Sequence, residues 1–333
     1  MSKCMIVAEL SANHNHNLEI AKESIRAIAD TGADAVKLQT YRPDSLTLPV
    51  KEGDFVLNGG LWDGRDLYGL YQEAFTPYEW HAELYDLARQ LGLVCFSTPF
   101  DREAVDFLET LDNPIYKIAS FEVAYTSLIG YAASKGKPMV ISTGIASERE
   151  VREAIDACHA VGNHDITLLK CTSAYPARIE DAQLGLMPEM REMFGVKVGL
   201  SDHSPGSMLP VMSVALGGVM IEKHFILDRK IGGPDASFSM DREEFARMVR
   251  EVRQAEAAMQ TQGFNQSEGL DIPGRAYARS LYVSAPIRKG ERFSCDNVAC
   301  VRPGFSLHPR HLEELLTRTA ERDYKVGDRL SLE

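Results

Sequence analysis

Paired cysteines are missing from this chain. Its six, Cys4, Cys95, Cys158, Cys171, Cys295 and Cys300, form no CxxC motif and show no framework spacing. That excludes zinc ribbons, dithiol redox centres and disulfide-stapled secreted scaffolds. Cys95 and Cys171 fall inside apolar, strand-like runs, where buried, inert thiols are expected. No window approaches the length of an apolar membrane-spanning helix, and the opening Met1–Met5 lacks a signal-peptide core. We therefore expect a cytoplasmic protein that does not engage a membrane. An excess of positive charge is missing too, with 36 Lys and Arg against 48 Asp and Glu. The formal net charge of −12 argues against sequence-independent nucleic-acid binding, although a locally positive pocket still accommodates an anionic substrate. No glycine-rich dinucleotide loop follows the first strand, which counts against a doubly wound sheet.

What the chain does have is repetition. With 333 residues, 44% hydrophobic and 25% charged, it suits a large α/β domain plus a minor one. Eight short, nearly continuous apolar runs read as strands buried on both faces: Met5–Leu10, Ala35–Thr40, Leu93–Thr98, Ile115–Ser120, Met139–Thr143, Ile166–Cys171, Val196–Leu200 and Val219–His224. Helices with start signals lie between most of them. Asn17 caps a run carrying Leu18, Ala21, Ile25 and Ile28 on one face, and Ser147 with Glu150 and Asp241 with Glu244 form capping boxes. Eight strand–helix units over residues 1–260 predict a (β/α)8 TIM barrel. The Thr40–Thr76 connection, containing Asn58-Gly59-Gly60 and Trp62, is too long for an ordinary loop and suggests a functional or lid-like element. Residues 261–274 read as a linker. Residues 275–333 read as a small β-rich domain with a strand at Ser280–Ser284, a helix near Arg310–Thr317 and two echoing turns, at Ile287–Phe293 and Tyr324–Leu330.

In a barrel, catalytic groups sit at the C-terminal ends of the strands. Here every such end is polar: Glu9; Lys37 and Gln39; Ser97 and Thr98; Lys117, Ser120 and Glu122; Ser142 and Thr143; Thr172, Ser173 and Tyr175; Ser201, Asp202 and His203; Glu222 and His224. Lysines supply charge, and hydroxyls with loop amides supply directional donors, a combination suited to a phosphorylated or carboxylated substrate. His203 and His224, at equivalent depths on successive strands, are placed to share a metal ion. Taken singly, Lys37 and Lys117 read equally as solvated strand ends or as partners of Glu9 and Glu122. Asn13 and His14 belong to a loop that caps the first helix and reaches towards substrate, with His16 at the surface. Asp235, in a Gly-Gly-Pro-Asp turn, reads from the residues alone as a turn former.

The motifs containing Glu9 to His14, Lys37 to Thr40, Ser97 to Phe100, Tyr116 to Glu122, Ile141 to Gly144, Cys171 to Pro176, Leu200 to His203 and Glu222 to Phe225 together resemble the sialic acid synthase family. The tail, with Ala278 to Tyr282 and Val301 to Gly304, is similar to that family's antifreeze-like (SAF) domain. The match runs in order over nearly the whole chain. Within the family, the pseudaminic branch is the nearest likeness. No histidine stands between Lys37 and Gln39, Ser173 occupies the place of an asparagine, and the Phe55–Trp80 insertion matches that branch.

The resemblance implies condensation of phosphoenolpyruvate with an acylated amino sugar, here 2,4-diacetamido-2,4,6-trideoxy-altrose, giving a nonulosonic acid plus phosphate. It implies a divalent metal (Mn2+, Co2+ or Mg2+) on His203 and His224, and Lys37, Ser97 or Thr98, Lys117, Ser120, Ser142 and Ser201 around phosphoenolpyruvate. Glu9 is the expected proton-handling group and Asp235 a sugar contact, with Asn13, His14, Gln39, Glu122, Ser173 and Tyr175 shaping the sugar site. It further implies a homodimer in which one subunit's C-terminal domain is swapped over its partner's barrel, bringing Arg302 to that site. The alternatives are a neuraminate or legionaminate synthase acting on another amino sugar, a metal-dependent barrel aldolase without phosphate chemistry, and a carbohydrate- or ice-binding protein working through its tail.

Overall fold

In the computed structural model, residues 3–260, 263–264 and 269–332 are described. The chain forms two compact units, Met1–Gln260 and Thr261–Glu333. The 261–274 linker expected from composition lies partly outside the described residues.

The first unit alternates strands and helices. Its first half runs β1 (Met5–Glu9), α1 (Leu18–Asp30), β2 (Ala35–Thr40), α2 (Pro43–Leu46), α3 (Leu67–Ala74), α4 (Tyr78–Gln90), β3 (Val94–Pro99), α5 (Arg102–Glu109) and β4 (Tyr116–Ile118). Its second half runs α6 (Thr126–Ala133), β5 (Met139–Ser142), α7 (Glu148–His159), β6 (Ile166–Cys171), α8 (Leu186–Phe194), β7 (Lys197–Asp202), α9 (Met208–Ala215), β8 (Met220–His224) and α10 (Arg242–Ala258). The eight strands are all parallel and close into a barrel, with β8 pairing back onto β1 so that Glu9 lies opposite His224. The three helix caps expected from sequence form. The Asn17 side chain accepts from two backbone amides, and both capping boxes are complete.

Strand periodicity sorts the residues. Alternate side chains such as Ile6, Ala8, Val36, Leu38, Ile118 and Ile141 point outwards into the core between barrel and helices. Their neighbours Val7, Ala35, Phe96, Ile115, Val140, Leu169 and Met220 point inwards and plug the barrel. β7 supplies Gly199 at this level, because a Cβ there would lie 2.4 Å from the Met220 carbonyl oxygen and 2.8 Å from Leu169. Side chains in a strand repeat every two residues on one face. The next inward position on all eight strands is therefore Glu9, Lys37, Thr98, Lys117, Ser142, Cys171, Ser201 and Glu222. A ring of polar and ionisable groups sits directly on a sealed apolar plug.

The long β2–α4 connection is not a structureless loop. It holds α2, a 3-10 turn at Gly53–Phe55, a tight turn in which Leu57 and Arg65 are hydrogen bonded, and α3. Gly59, Gly60 and Gly64 all adopt left-handed φ in that turn, which explains the run of glycines.

The second unit pairs β9 (Ser280–Val283) with β10 (Val298–Val301) in antiparallel fashion and carries one short helix, α11 (Leu312–Leu315). Leu281, Val283, Ile287, Phe293, Val298 and Leu315 contribute to its core. The two echoing turns are neighbours: Ile287 and Tyr324 exchange backbone hydrogen bonds of 3.1 and 2.8 Å. Each reaches a glycine three residues on, Gly290 and Gly327, with φ of 86° and 87°.

Candidate active site

The polar ring is an ion network. Lys37 Nζ lies 2.5 Å from Glu9 Oε2 and 3.2 Å from Glu222 Oε1, and Lys117 Nζ lies 3.5 Å from that same Glu222 oxygen. The Lys37 ammonium also donates to Thr98 Oγ1 at 3.3 Å, and Ser201 Oγ donates to Glu222 Oε1 at 3.2 Å. All four charged groups are buried, so each depends on its neighbours for what water would otherwise provide. Burial pushes Lys37 down to about 7, opposed by Glu222 and assisted by Lys117. Burial alone would raise the Glu222 carboxyl, but Lys117 and Lys37 outweigh it and hold it well below the usual range. The sequence pattern offered Glu122 as partner of Lys117. The ion pair is made with Glu222 instead, because Glu222 shares the inward level of Lys117 whereas Glu122 follows β4 in a 3-10 turn.

Hydroxyls gather beside the lysines. Ser120 Oγ accepts from the Gly144 amide at 3.0 Å, and a Cβ on Gly144 would meet Ser173 Oγ at 2.1 Å and Ser120 Oγ at 2.9 Å. Only glycine fits between those serines. Ser142 Oγ, Ser173 Oγ and the second oxygen of Glu222 are buried without a hydrogen-bond partner. Unpartnered buried polar atoms are rare in folded proteins; the two serine hydroxyls can donate to an anion beside the lysines and the Gly144 amide, whereas the Glu222 oxygen can only accept and needs a donor or cation. Ser97 is not part of it. Its odd register turns it outwards, where its hydroxyl lies 2.6 Å from Thr40 Oγ1. Of the two candidates on β3, only Thr98 faces the site.

The histidines stand one level higher. His203 follows β7 and His224 ends β8, and their ring centroids are 5.2 Å apart. His203 Nδ1 lies 3.0 Å from the Thr172 carbonyl. A carbonyl only accepts, so Nδ1 carries a proton, and in the neutral ring Nε2 is the nitrogen with the lone pair that a metal-ligating histidine requires. Burial, with His203 and the lysines nearby, drives His224 well below its ordinary pKa, and its Nδ1 has no hydrogen-bond partner. Among the described residues no set of three His, Cys, Asp or Glu side chains is arranged as a ligand cage. What the site offers a cation is the two neighbouring imidazoles of His203 and His224, so any further ligands would have to be water or substrate. Cys171 was expected to be inert. Burial does raise its thiol, but the neighbouring His203 imidazole outweighs that and lowers it; burial lowers His203 in turn, but the Cys171 thiol outweighs that and lifts it above its ordinary value.

A cavity of about 380 Å³ opens beside the histidines, lined on its polar side by Ser11, Gln39, Glu122, Tyr175, His224 and Asp235. Gln39 Nε2 donates to Glu9 at 3.1 Å and to Ser11 at 3.0 Å, and Ser11 donates to Asp235. Asp235 is thus more than a turn former: it is buried, and burial raises its carboxyl against the pull of Ser11. Burial likewise lifts Glu122 to about 7. Asn13 and His14 do not line the cavity. The Asn13 amide donates to the Phe225 carbonyl and Ser239 hydroxyl, both at 2.8 Å, and the His14 ring packs on Trp80 with Nε2 3.1 Å from Thr76 Oγ1. Both staple loops together. Arg302 belongs to the second unit, where it is exposed directly after β10.

Two residues escaped assignment from sequence, Glu222 and Cys171. The signal was available for both. Glu222 is two residues before His224 and hence on the same face of β8, and Cys171 is two beyond the inward Leu169. For Glu222 we expect Glu222→Gln to lower stability by about 3–5 kcal/mol, as removal of one partner of a buried ion pair does. Lys37 already sits below its ordinary value, so the unfolded chain holds protons that the folded variant sheds, and the penalty shrinks as pH rises from 6 to 9. Thermal melts at both pH values check this; equal melting temperatures for variant and wild type would contradict it.

Comparison with known proteins agrees with this architecture. The NeuB family pattern matches residues 24–263 and the SAF domain pattern residues 278–333. Pseudaminic acid synthase of Campylobacter jejuni is 49% identical over 328 residues, covering 98% of this chain and 95% of the relative. The N,N'-diacetyllegionaminic acid synthase of Legionella pneumophila is 34% identical over 99% of this chain and 91% of its own length. Among solved structures, the N-acetylneuraminic acid (sialic acid) synthetase of Leptospira borgpetersenii superposes with a TM-score of 0.72 at 27% identity, covering 80% of this chain and 88% of that one. With that sequence match, a closed barrel and an SAF unit in the same order, the chain belongs to the NeuB family of sialic acid synthases.

Proposed function

We propose that the chain condenses phosphoenolpyruvate with open-chain 2,4-diacetamido-2,4,6-trideoxy-altrose to form the nonulosonic acid and inorganic phosphate. The observation that carries this reading is the stacking of a buried cationic, serine-rich cradle beneath two neighbouring imidazoles, with a sugar-sized cavity alongside. The 49% identity to a pseudaminic acid synthase supports this sugar over that of the legionaminic or sialic branch.

Lys37 and Lys117, with the hydroxyls of Thr98, Ser120, Ser142 and Ser201, hold the phosphate and carboxylate of phosphoenolpyruvate. Gln39, Glu122, Ser173 and Tyr175 shape the sugar side, and Asp235 meets its hydroxyls. C3 of the enolpyruvate attacks the aldehyde carbon, water adds at C2, and the C–O bond to phosphate breaks. Glu9, buried between Lys37 and Gln39, is placed to move the proton of the adding water. His203 and His224 would hold Mn2+, Co2+ or Mg2+, which when bound stabilises negative charge on the aldehyde oxygen. The six unpaired cysteines favour a cytoplasmic setting, and no helix among the described residues is long and apolar enough to cross a membrane.

A phosphate-release assay with phosphoenolpyruvate, the diacetamido sugar and Mn2+ tests the reading. Release should stop on chelation and return with Mn2+, and be lost in His203→Ala and His224→Ala. Glu9→Gln should be slowed by ~10²–10⁴. Phosphate release by the chelated enzyme at the full rate would contradict the metal role, and a fully active Glu9→Gln would remove the base.

We propose further that the enzyme is a homodimer in which the SAF unit of one subunit covers the partner subunit's barrel mouth and Arg302 clamps an acyl oxygen there with its planar fork of donors. The exposed Arg302, in a groove with Tyr282, Val301, Phe305 and Val326, supports this. Mixing Arg302→Ala subunits with Glu9→Gln subunits should restore activity above either alone; dimers that form without restoration would place the site within one chain.

A further inference from the structure

The cavity beside the histidines is two-sided, and the second side belongs to the connection between β2 and α4. Against the polar groups Ser11, Gln39, Glu122 and Asp235 stand Leu46, Leu57, Leu67, Leu70 and Tyr71, all from that connection, with Phe100 from beyond β3. Tyr41, which also lines the cavity, packs edge-on against both Tyr71 and Phe100, at 5.9 and 5.1 Å between centroids, and joins the two parts of the wall. Trp62 fastens the connection over the mouth. Its indole N–H donates to the Pro234 carbonyl at 3.0 Å, and its ring lies 5.5 Å from Tyr175, which in turn packs at 4.4 Å on His203. The site therefore runs from a polar end at His224, Asp235 and Glu122 to an end with hydrocarbon on most sides.

We infer that this connection is the specificity element of the enzyme: Leu57, Leu67, Leu70 and Tyr71 receive the methyl groups of a deoxygenated, N-acylated hexose, and Trp62 latches the wall in place. The inference rests on the proposed reaction, which sets the sugar's aldehyde near His224. An open-chain hexose held that way directs its C4 to C6 end at the wall. A 6-deoxy sugar with an acetamido group at C4 presents methyls there and buries them favourably. A hexosamine hydroxylated at C4 and C6 presents hydroxyls to leucines that offer no hydrogen bond, and each unpartnered hydroxyl weakens binding. Rejection of an added hydroxyl by an apolar pocket is moderate, on the order of 10²-fold. The cavity of about 380 Å³ falls in the range of small-molecule sites, ~300–1,000 Å³.

The test compares kcat/KM for 2,4-diacetamido-2,4,6-trideoxy-altrose and for N-acetylmannosamine in the full-length enzyme with Mn2+. Leu57→Asn and Leu67→Asn change two separate, half-buried parts of the wall, Trp62→Ala releases the latch, and thermal melts confirm that each variant is folded. The wild type should prefer the diacetamido sugar. Each wall variant should narrow that preference ~10-fold or more, chiefly through KM for the sugar, with KM for phosphoenolpyruvate unchanged. Trp62→Ala should weaken both sugars together. Folded wall variants that keep the wild-type preference, or whose KM for phosphoenolpyruvate rises as much as that for sugar, would overturn the inference while leaving the reaction standing. A wild type that turns over N-acetylmannosamine but not the diacetamido sugar would likewise overturn it. A wild type releasing phosphate with neither sugar would sink the proposed reaction, and this inference with it.

Discussion

One carboxylate oxygen of Glu222 is shared by two lysines inside a closed barrel, and the site is organised around that contact. The plug of Val7, Phe96, Val140, Leu169 and Met220 beneath it is buried and apolar, and offers the ring no polar partner from below. Two lysines and two carboxylates must therefore offset one another's burial, and they are held by the strands rather than by flexible loops. In such surroundings electrostatic attraction is several-fold stronger than in water. A phosphorylated, carboxylated substrate entering from above meets lysines already desolvated and fixed, so little reorganisation is needed when it binds. The same four residues explain why an acidic protein can own a pocket for an anion: net charge describes the exterior, and this pocket is isolated from it.

The levels above the ring divide the work. The paired imidazoles stand one level above the ring, and Asp202 with Lys223 forms a second buried pair, 2.5 Å apart, on the outer face of the same two strands. That outer pair ties β7 to β8 and so helps fix the spacing of His203 and His224. Beyond them, the β2–α4 connection provides what a bare barrel mouth lacks, an apolar wall. The apolar plug, the charged ring and the apolar wall thus follow one another along the strand direction, as the barrel fold permits.

The barrel was legible because its signals are local and repeated: eight buried runs, capped helices and short connections. Most of the charged ring was legible too, since Glu9, Lys37, Lys117, Ser142 and Ser201 end strands whose apolar cores are plain. What could not be read was direction. Ser97 and Thr98 are adjacent and chemically alike, and only register with β2 and β4 shows that one faces the site and the other faces Thr40. Asn13 and His14 look like ligand groups in sequence, yet their partners, Phe225, Ser239 and Thr76, are 62 to 226 residues away. Asp235 erred the other way, because a Gly-Gly-Pro-Asp turn gives no hint that it folds back over the mouth beside Ser11. The wall formed by the long connection depends on helices α2 and α3 packing together, which composition alone does not reveal.

The central claim is that Lys37 is held partly uncharged by burial and becomes charged when the anion arrives. Calorimetric titration of the enzyme with phosphoenolpyruvate at pH 8, in buffers of differing ionisation enthalpy, measures this directly. With Lys37 resting near 7, binding should take up close to one proton per site, and Lys37→Met should abolish the uptake. Tight binding with no proton uptake in the wild type, or the same uptake in Lys37→Met, would contradict the account.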